Sequence, residues 1–325
     1  MQPSIRNKLA LPSSSFPSNP STFKPPSTKR AFVSFRPGLA VFLMIFSLFW
    51  VLPSSAGPVI LGGDDLTDHG SVSGGINQLG WLYIQKAVEN ILNLPGNITR
   101  PGNNGRIAAL GSAASSATSG DAGAAIGSAA AALGKSVDYY NGAAAINQFF
   151  TDLASGAVNP AMLWIAGTGA SNDLDSAEGA ALTANAAAIA AFVNSGGGLM
   201  AHGSGVDAYG WLPVVIPGLS NVIGCSTTGA TLTPAGQAAF PGLTVADITA
   251  GPCHSNFQGS LGSLQALALD GSGLNFIIGG GAAAVLGPAG PAAPIPTLGE
   301  WGIFITASLL GLLGMSAFRK RRSYK

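Results

Sequence analysis

Apolar positions along the chain fall into three patterns. The first is a set of short continuous runs bounded by glycine or proline: "PVILGG" (58–63), "RIAALGS" (106–112), "AMLWIAG" (161–167) and "GLMA" (198–201). Runs of this length predict buried strands. "SVDYYN" (136–141) predicts a further short strand, and "LQALALD" with "NFIIGGG" predicts a strand pair near residues 264–281. The second pattern is helical spacing. Ile76, Leu79, Trp81, Leu82, Ile84, Val88, Ile91 and Leu92 predict a helix stopped by Pro95-Gly96. An Ala/Gly/Ser-rich helix is expected around 122–133, and one over 143–153 carries Ile146, Phe149, Phe150 and Leu153. Asp175 and Glu178 have capping-box spacing and open a helix with Leu182, Ile189, Phe192 and Val193 on its apolar side, stopped by Gly196-Gly197-Gly198. Strands alternating with helices predict one α/β domain over 57–286, a mostly parallel sheet covered on both faces.

The third pattern is a pair of longer apolar segments near the ends. Residues 39–52 follow Lys29, Arg30 and Arg36 and stop at Pro53. The run has the length of a signal-peptide core and is short for a membrane span. Ser54-Ser55-Ala56 supplies small residues for cleavage after Ala56, so residues 37–56 read as a signal peptide. Its expected partners are the secretion translocon and signal peptidase. Residues 1–36 form a leader without apolar periodicity. At the other end, residues 301–318 are uncharged and mostly apolar, and Arg319, Lys320, Arg321 and Arg322 follow at once. A span of that kind holds its cations in the cytoplasm, so the protein is expected in the membrane through this helix with its body outside. "GPAGPAAP" (287–294) reads as a stiff, extended linker.

Composition sharpens this. Only 9% of the 325 residues are charged and the formal net charge is +1. No basic patch interleaved with aromatics occurs, so no nucleic-acid partner is expected. Cys225 and Cys253 read as one disulfide in an oxidising compartment or as two buried thiols, and export favours the disulfide.

Three histidines bound the candidate chemistry. His69 and His202 closely follow predicted strands, and His254 lies in a turn-like stretch. Ligands of open α/β sheets bind beyond the carboxyl ends of strands. Asp64, Asp65, Asp68, His69 and His202 are therefore expected near one crevice, with His254 as a further member. Asp64, His69, His202 and His254 are candidate transition-metal ligands. His202 as general base to Ser204 is the catalytic alternative, and service to loop backbone is the structural one. Asn172, Asp173 and Asp175 are a weaker candidate for Ca²⁺. "GTGAS" (167–171) could cradle a phosphate but lacks a P-loop lysine. No cofactor signature stands out.

Two resemblances add to this reading. Ile295-Pro296-Thr297-Leu298, then Glu300-Trp301-Gly302, the apolar helix and the basic end from Arg319 to Arg322 together resemble the IPTL-CTERM sorting domain. This is a relative of PEP-CTERM signals handled by exosortase-type transpeptidases in Gram-negative bacteria. The resemblance implies cleavage near Pro296-Thr297 and transfer to the cell surface or matrix. The helix followed by "FVNSGGGLMAHGSG" resembles the class I glutamine amidotransferase-like fold, a flavodoxin-like layered domain. That resemblance implies a nucleophilic cysteine at the elbow after the strand. Ala201-His202-Gly203-Ser204-Gly205 stands there instead. The expected function is an exported surface or matrix protein with a non-catalytic binding or display domain. The alternative is an extracytoplasmic hydrolase or metal-dependent enzyme on the same fold.

Overall fold

Four short strands are buried at every residue, which explains why their sequences carry no polar alternation. The protein is described here from a computed structural model covering residues 56–168 and 172–280. The leader, the signal segment, the linker and the sorting tail lie outside the described residues. The first buried strand, β1 (Val59–Gly62), is followed by an antiparallel hairpin, β2 (Gly70–Ser73) and β3 (Ile76–Leu79). Its turn is Gly74-Gly75, both at positive φ, the backbone that a two-residue hairpin loop demands. Helix α1 (Gly80–Asn93) begins only after the hairpin. The helical spacing that starts at Ile76 is thus true helix only from Trp81. Ile76 is 67% exposed, whereas Trp81, Ile84, Val88 and Ile91 are fully buried.

Next come β4 (Ile107–Leu110), α2 (Ala122–Ala132), β5 (Val137–Tyr140), α3 (Ala143–Ser155) and β6 (Met162–Ile165). Asp121 caps α2 by accepting from Ala124 N at 2.8 Å. The long apolar stretch after β6 forms two helices, α4 (Ser176–Ala184) and α5 (Ala186–Asn194), bent by 60° at Asn185. The Asn185 amide donates to Ala181 O at 2.8 Å, closing the first helix. The capping box at the start of α4 is complete: Glu178 N donates to Asp175 Oδ1 and Asp175 N donates to Glu178 Oε2, both at 2.8 Å. Strand β7 (Gly198–Ala201) follows.

The remaining elements are α6 (Gly205–Tyr209), α7 (Leu212–Val215), β8 (Leu219–Ile223), β9 (Thr231–Leu232), α8 (Pro234–Ala239), α9 (Val245–Ile248), β10 (Ser255–Gly259), β11 (Leu264–Leu269) and β12 (Asn275–Gly280).

The architecture is α/β, and its sheet is mixed. The order is β5-β4-β6-β7-β1-β12-β10-β8, with β11 on β12 and β9 on β11. The strands from β5 to β1 are mutually parallel, and β12, β10, β8, β11 and β9 join by antiparallel pairing. The crossovers β1→β4→β5 run one way along the sheet, and β5→β6→β7 run back. With right-handed connections this puts α1 and α2 on one face and α3, α4 and α5 on the other. The packing agrees: α1 lies on α2, and α3 lies on α4. The loops leaving β1 and β4 therefore diverge from those leaving β6 and β7, which opens a crevice over their carboxyl ends. Trp81, Trp164, Trp211, Tyr83, Phe149 and Phe192 fill the core beneath with no exposure above 2%. Among the described residues no helix is long and apolar enough by itself to cross a membrane.

Candidate functional site

Four loops meet in this crevice: 63–69 after β1, 111–121 after β4, the described parts 166–168 and 172–175 of the loop after β6, and 202–204 after β7. The loop after β1 is the richest. Asp64 turns back over its own strand, and a Cβ on Gly62 would collide with the Asp64 carboxylate. Asp64 Oδ1 lies 2.7 Å from His202 Nδ1 and accepts from Leu66 N at 3.1 Å. Both side chains have zero exposure. Tyr83 and Trp164 flank the imidazole with ring centroids at 6.0 and 5.8 Å. His202 Nε2 has no hydrogen-bond partner. Burial, and then the Asp64 charge, push the Tyr83 and Tyr209 phenols well above their ordinary value.

Asp65 faces the other way. Its Oδ2 lies 3.1 Å from His254 Nε2 and 3.4 Å from His69 Nε2, while Oδ1 is buried without a hydrogen bond. The structure thus gathers His69 and His254 on one carboxylate and gives His202 to its neighbour. Asp64, His69, His202 and His254 are brought close but divided between two pairings. No hydrogen bond joins His202 to Ser204 among the described residues.

A second group forms beside Asp65. Ligand atoms of Asp65, Asp68 and Asp173 lie within 4.8 Å of one another. Asp68 is partly buried, with neither carboxylate oxygen hydrogen-bonded. Burial, then the charge of Asp65, raise its pKa to about 6, with Asp121 adding to the rise and His69 opposing it. Asp173 comes from the loop after β6. That loop is held by Asn172, whose amide donates to Ala113 O at 2.8 Å and to Asp121 Oδ1 at 3.0 Å, and whose carbonyl accepts from Ala113 N at 2.7 Å. Of the weaker candidates Asn172, Asp173 and Asp175, only Asp173 reaches the group, because Asn172 ties two loops together and Asp175 caps α4. Thr67 was not a sequence candidate. The signal for it is the spacing D-D-L-T-D after a buried strand, which places Asp65, Thr67 and Asp68 in one turn.

The disulfide lies beside this group. Cys225 and Cys253 are joined, with Cα atoms 5.7 Å apart. Asp64 and Cys253 form an antiparallel bridge, and His254 N donates to Gly63 O at 2.8 Å. Both cysteines are thereby spent, and neither is available at the elbow after β7.

The comparison with known proteins decides one point. Residues 293–322 match the IPTL-CTERM motif. The motif implies an exported, surface-directed protein processed by a C-terminal sorting machinery. The disulfide is consistent with an extracytoplasmic location. No curated protein and no solved structure matches the chain.

Proposed function

We propose that the protein is displayed on the surface or in the extracellular matrix of a Gram-negative bacterium, with residues 57–286 as a non-catalytic binding domain. The match over 293–322 supports the surface-directed part of this reading. The reading includes a signal peptide over 37–56 removed after Ala56, a membrane helix over 301–318, and cleavage near Pro296-Thr297 by an exosortase-type transpeptidase. It is supported at the amino end by Gly57, whose N donates to Val193 O at 2.8 Å, so the proposed mature terminus is bonded into the body. The binding role is supported by the spent cysteines and by His202, sealed on Asp64 at the position where amidotransferases carry their nucleophile. Intact mass of the envelope-associated protein tests the reading. A mature chain from Gly57 that lacks Arg319 to Arg322 is expected. A surface form retaining those cations refutes it.

A hydrolase is the second reading, and one observation favours it. Asp64 orients His202 from Nδ1 and leaves Nε2 without a partner, which is the carboxylate–imidazole half of a catalytic triad. Covalent labelling of Ser204 by a fluorophosphonate probe, lost in His202→Ala, would establish it. Absence of labelling on the folded protein removes it.

A further inference from the structure

We propose that Asp65, Asp68 and Asp173, with the Thr67 hydroxyl, form a site for an oxygen-preferring divalent cation of the calcium class. The site stands whether the body binds or catalyses.

Two independent observations meet there. One is the carboxylate group itself, drawn from loops more than a hundred residues apart in the chain and closed to within 4.8 Å. Three protein carboxylates on one ion suit Ca²⁺, since Mg²⁺ usually keeps several waters and takes one or two carboxylates. The other is Thr67. Its side chain has zero exposure, yet Oγ1 has no hydrogen-bond partner. A Cβ built on Gly167 would stand 3.0 Å from Thr67 Oγ1 and 3.5 and 3.6 Å from the two Asp173 oxygens. The hydroxyl and the carboxylate thus line one small space, which glycine leaves clear. A buried hydroxyl without a partner is unfavourable, and a bound cation removes the deficit.

The donor chemistry selects the ion. The group contains oxygens alone, since His69 and His254 are engaged at Asp65 Oδ2. Carboxylate and hydroxyl oxygens suit hard cations, while Zn²⁺ and Cu²⁺ prefer nitrogen and sulfur. Asp65 Oδ1 is left to the ion while Oδ2 is steadied by imidazole, the usual way in which outer partners orient a ligand.

The test is calorimetric titration and thermal unfolding of the purified full chain with CaCl₂, MgCl₂ and ZnCl₂ after chelation. One Ca²⁺ per chain is expected, with Kd about 10⁻⁴–10⁻³ M or tighter, as in extracellular modules. Asp68→Asn and Thr67→Val are expected to weaken Ca²⁺ binding, the first by about tenfold or more. Both should raise the melting temperature in chelator, because each removes an unfavourable buried group. That opposite response separates a ligand from a purely structural residue. Asp152→Asn, outside the cluster, should change neither. A native chain whose melting temperature and heats ignore CaCl₂ overturns the proposal, whatever the variants do. A Zn²⁺ response that survives Asp68→Asn and disappears in His254→Ala also overturns it.

Discussion

Asp64 and His202 are 138 residues apart in sequence, and their side chains meet at 2.7 Å with no exposure on either. The contact ties the loop after β1 to the loop after β7, reinforced by Gly203 N donating to Asp64 O at 3.0 Å. Removing one member of a buried pair strands the other. His202→Ala should therefore destabilise the fold by about 3–5 kcal/mol, read as a lower denaturant midpoint. A loss under about 1 kcal/mol would mean that solvent reaches Asp64.

The Cys225–Cys253 cross-link closes a loop with a sequence separation of 28. Chain entropy assigns such a loop roughly 3–4 kcal/mol. The double substitution Cys225→Ser/Cys253→Ser is expected to lower stability by that amount in equilibrium unfolding. Non-reduced peptide mapping of protein from the envelope should recover the two cysteines as one linked pair.

Glu178 serves two helices. Its carboxylate accepts from Asp175 N at 2.8 Å and from Gly142 N at 2.5 Å, the residue that precedes α3. Glu178→Ala removes both charge-assisted bonds from a buried position. A loss of about 2–4 kcal/mol is expected. Glu178→Gln keeps the shape and should recover part of it, since its NH2 replaces one of the two accepting oxygens and leaves the other. Urea unfolding of the two variants side by side checks the ordering.

Alkaline pH probes the region beneath the crevice. Burial raises the Tyr83 and Tyr209 phenols well above 10 in the folded protein. The unfolded chain then releases protons, from about pH 10 upward, that the folded chain keeps. Their contribution is fully present below pH 10 and declines as pH rises beyond it, by up to about 1.4 kcal/mol per pH unit for each phenol. Tyrosinate absorbance should show these two phenols ionising only as the fold opens, and Tyr83→Phe should make the decline shallower. Ionisation of Tyr83 near pH 10 in the folded state contradicts this.

The parallel half of the sheet was legible because β1, β4, β6 and β7 are buried on both sides and read as unbroken apolar runs. The hairpin was not. "GSVS" and "INQL" are half polar, and Ile76 and Leu79 fall by coincidence into the register of α1. The break at Asn185 hides in a field of alanines that suit one helix as well as two. Strands β8 and β10, "LSNVI" and "SNFQG", carry too many polar residues to announce themselves. At the site, the crevice and the loop 64–69 followed from strand ends alone. The arrival of Asp173 did not, because it depends on the sheet order that brings β6 within reach of β1. The pairing of His69 and His254 on one oxygen of Asp65 likewise requires β10 to run past the end of β1, a long-range placement with no local trace.

The Asp64–Cys253 bridge has a temporal meaning. The cross-link sits one residue from His254, which steadies Asp65. In a reducing compartment the sulfurs stay apart, and the segment that carries His254 is held by hydrogen bonds alone, from His254 N to Gly63 O and from Gly224 N to His254 O. Oxidation then adds a covalent clasp, so this wall of the crevice would stiffen only once the chain meets an oxidising compartment.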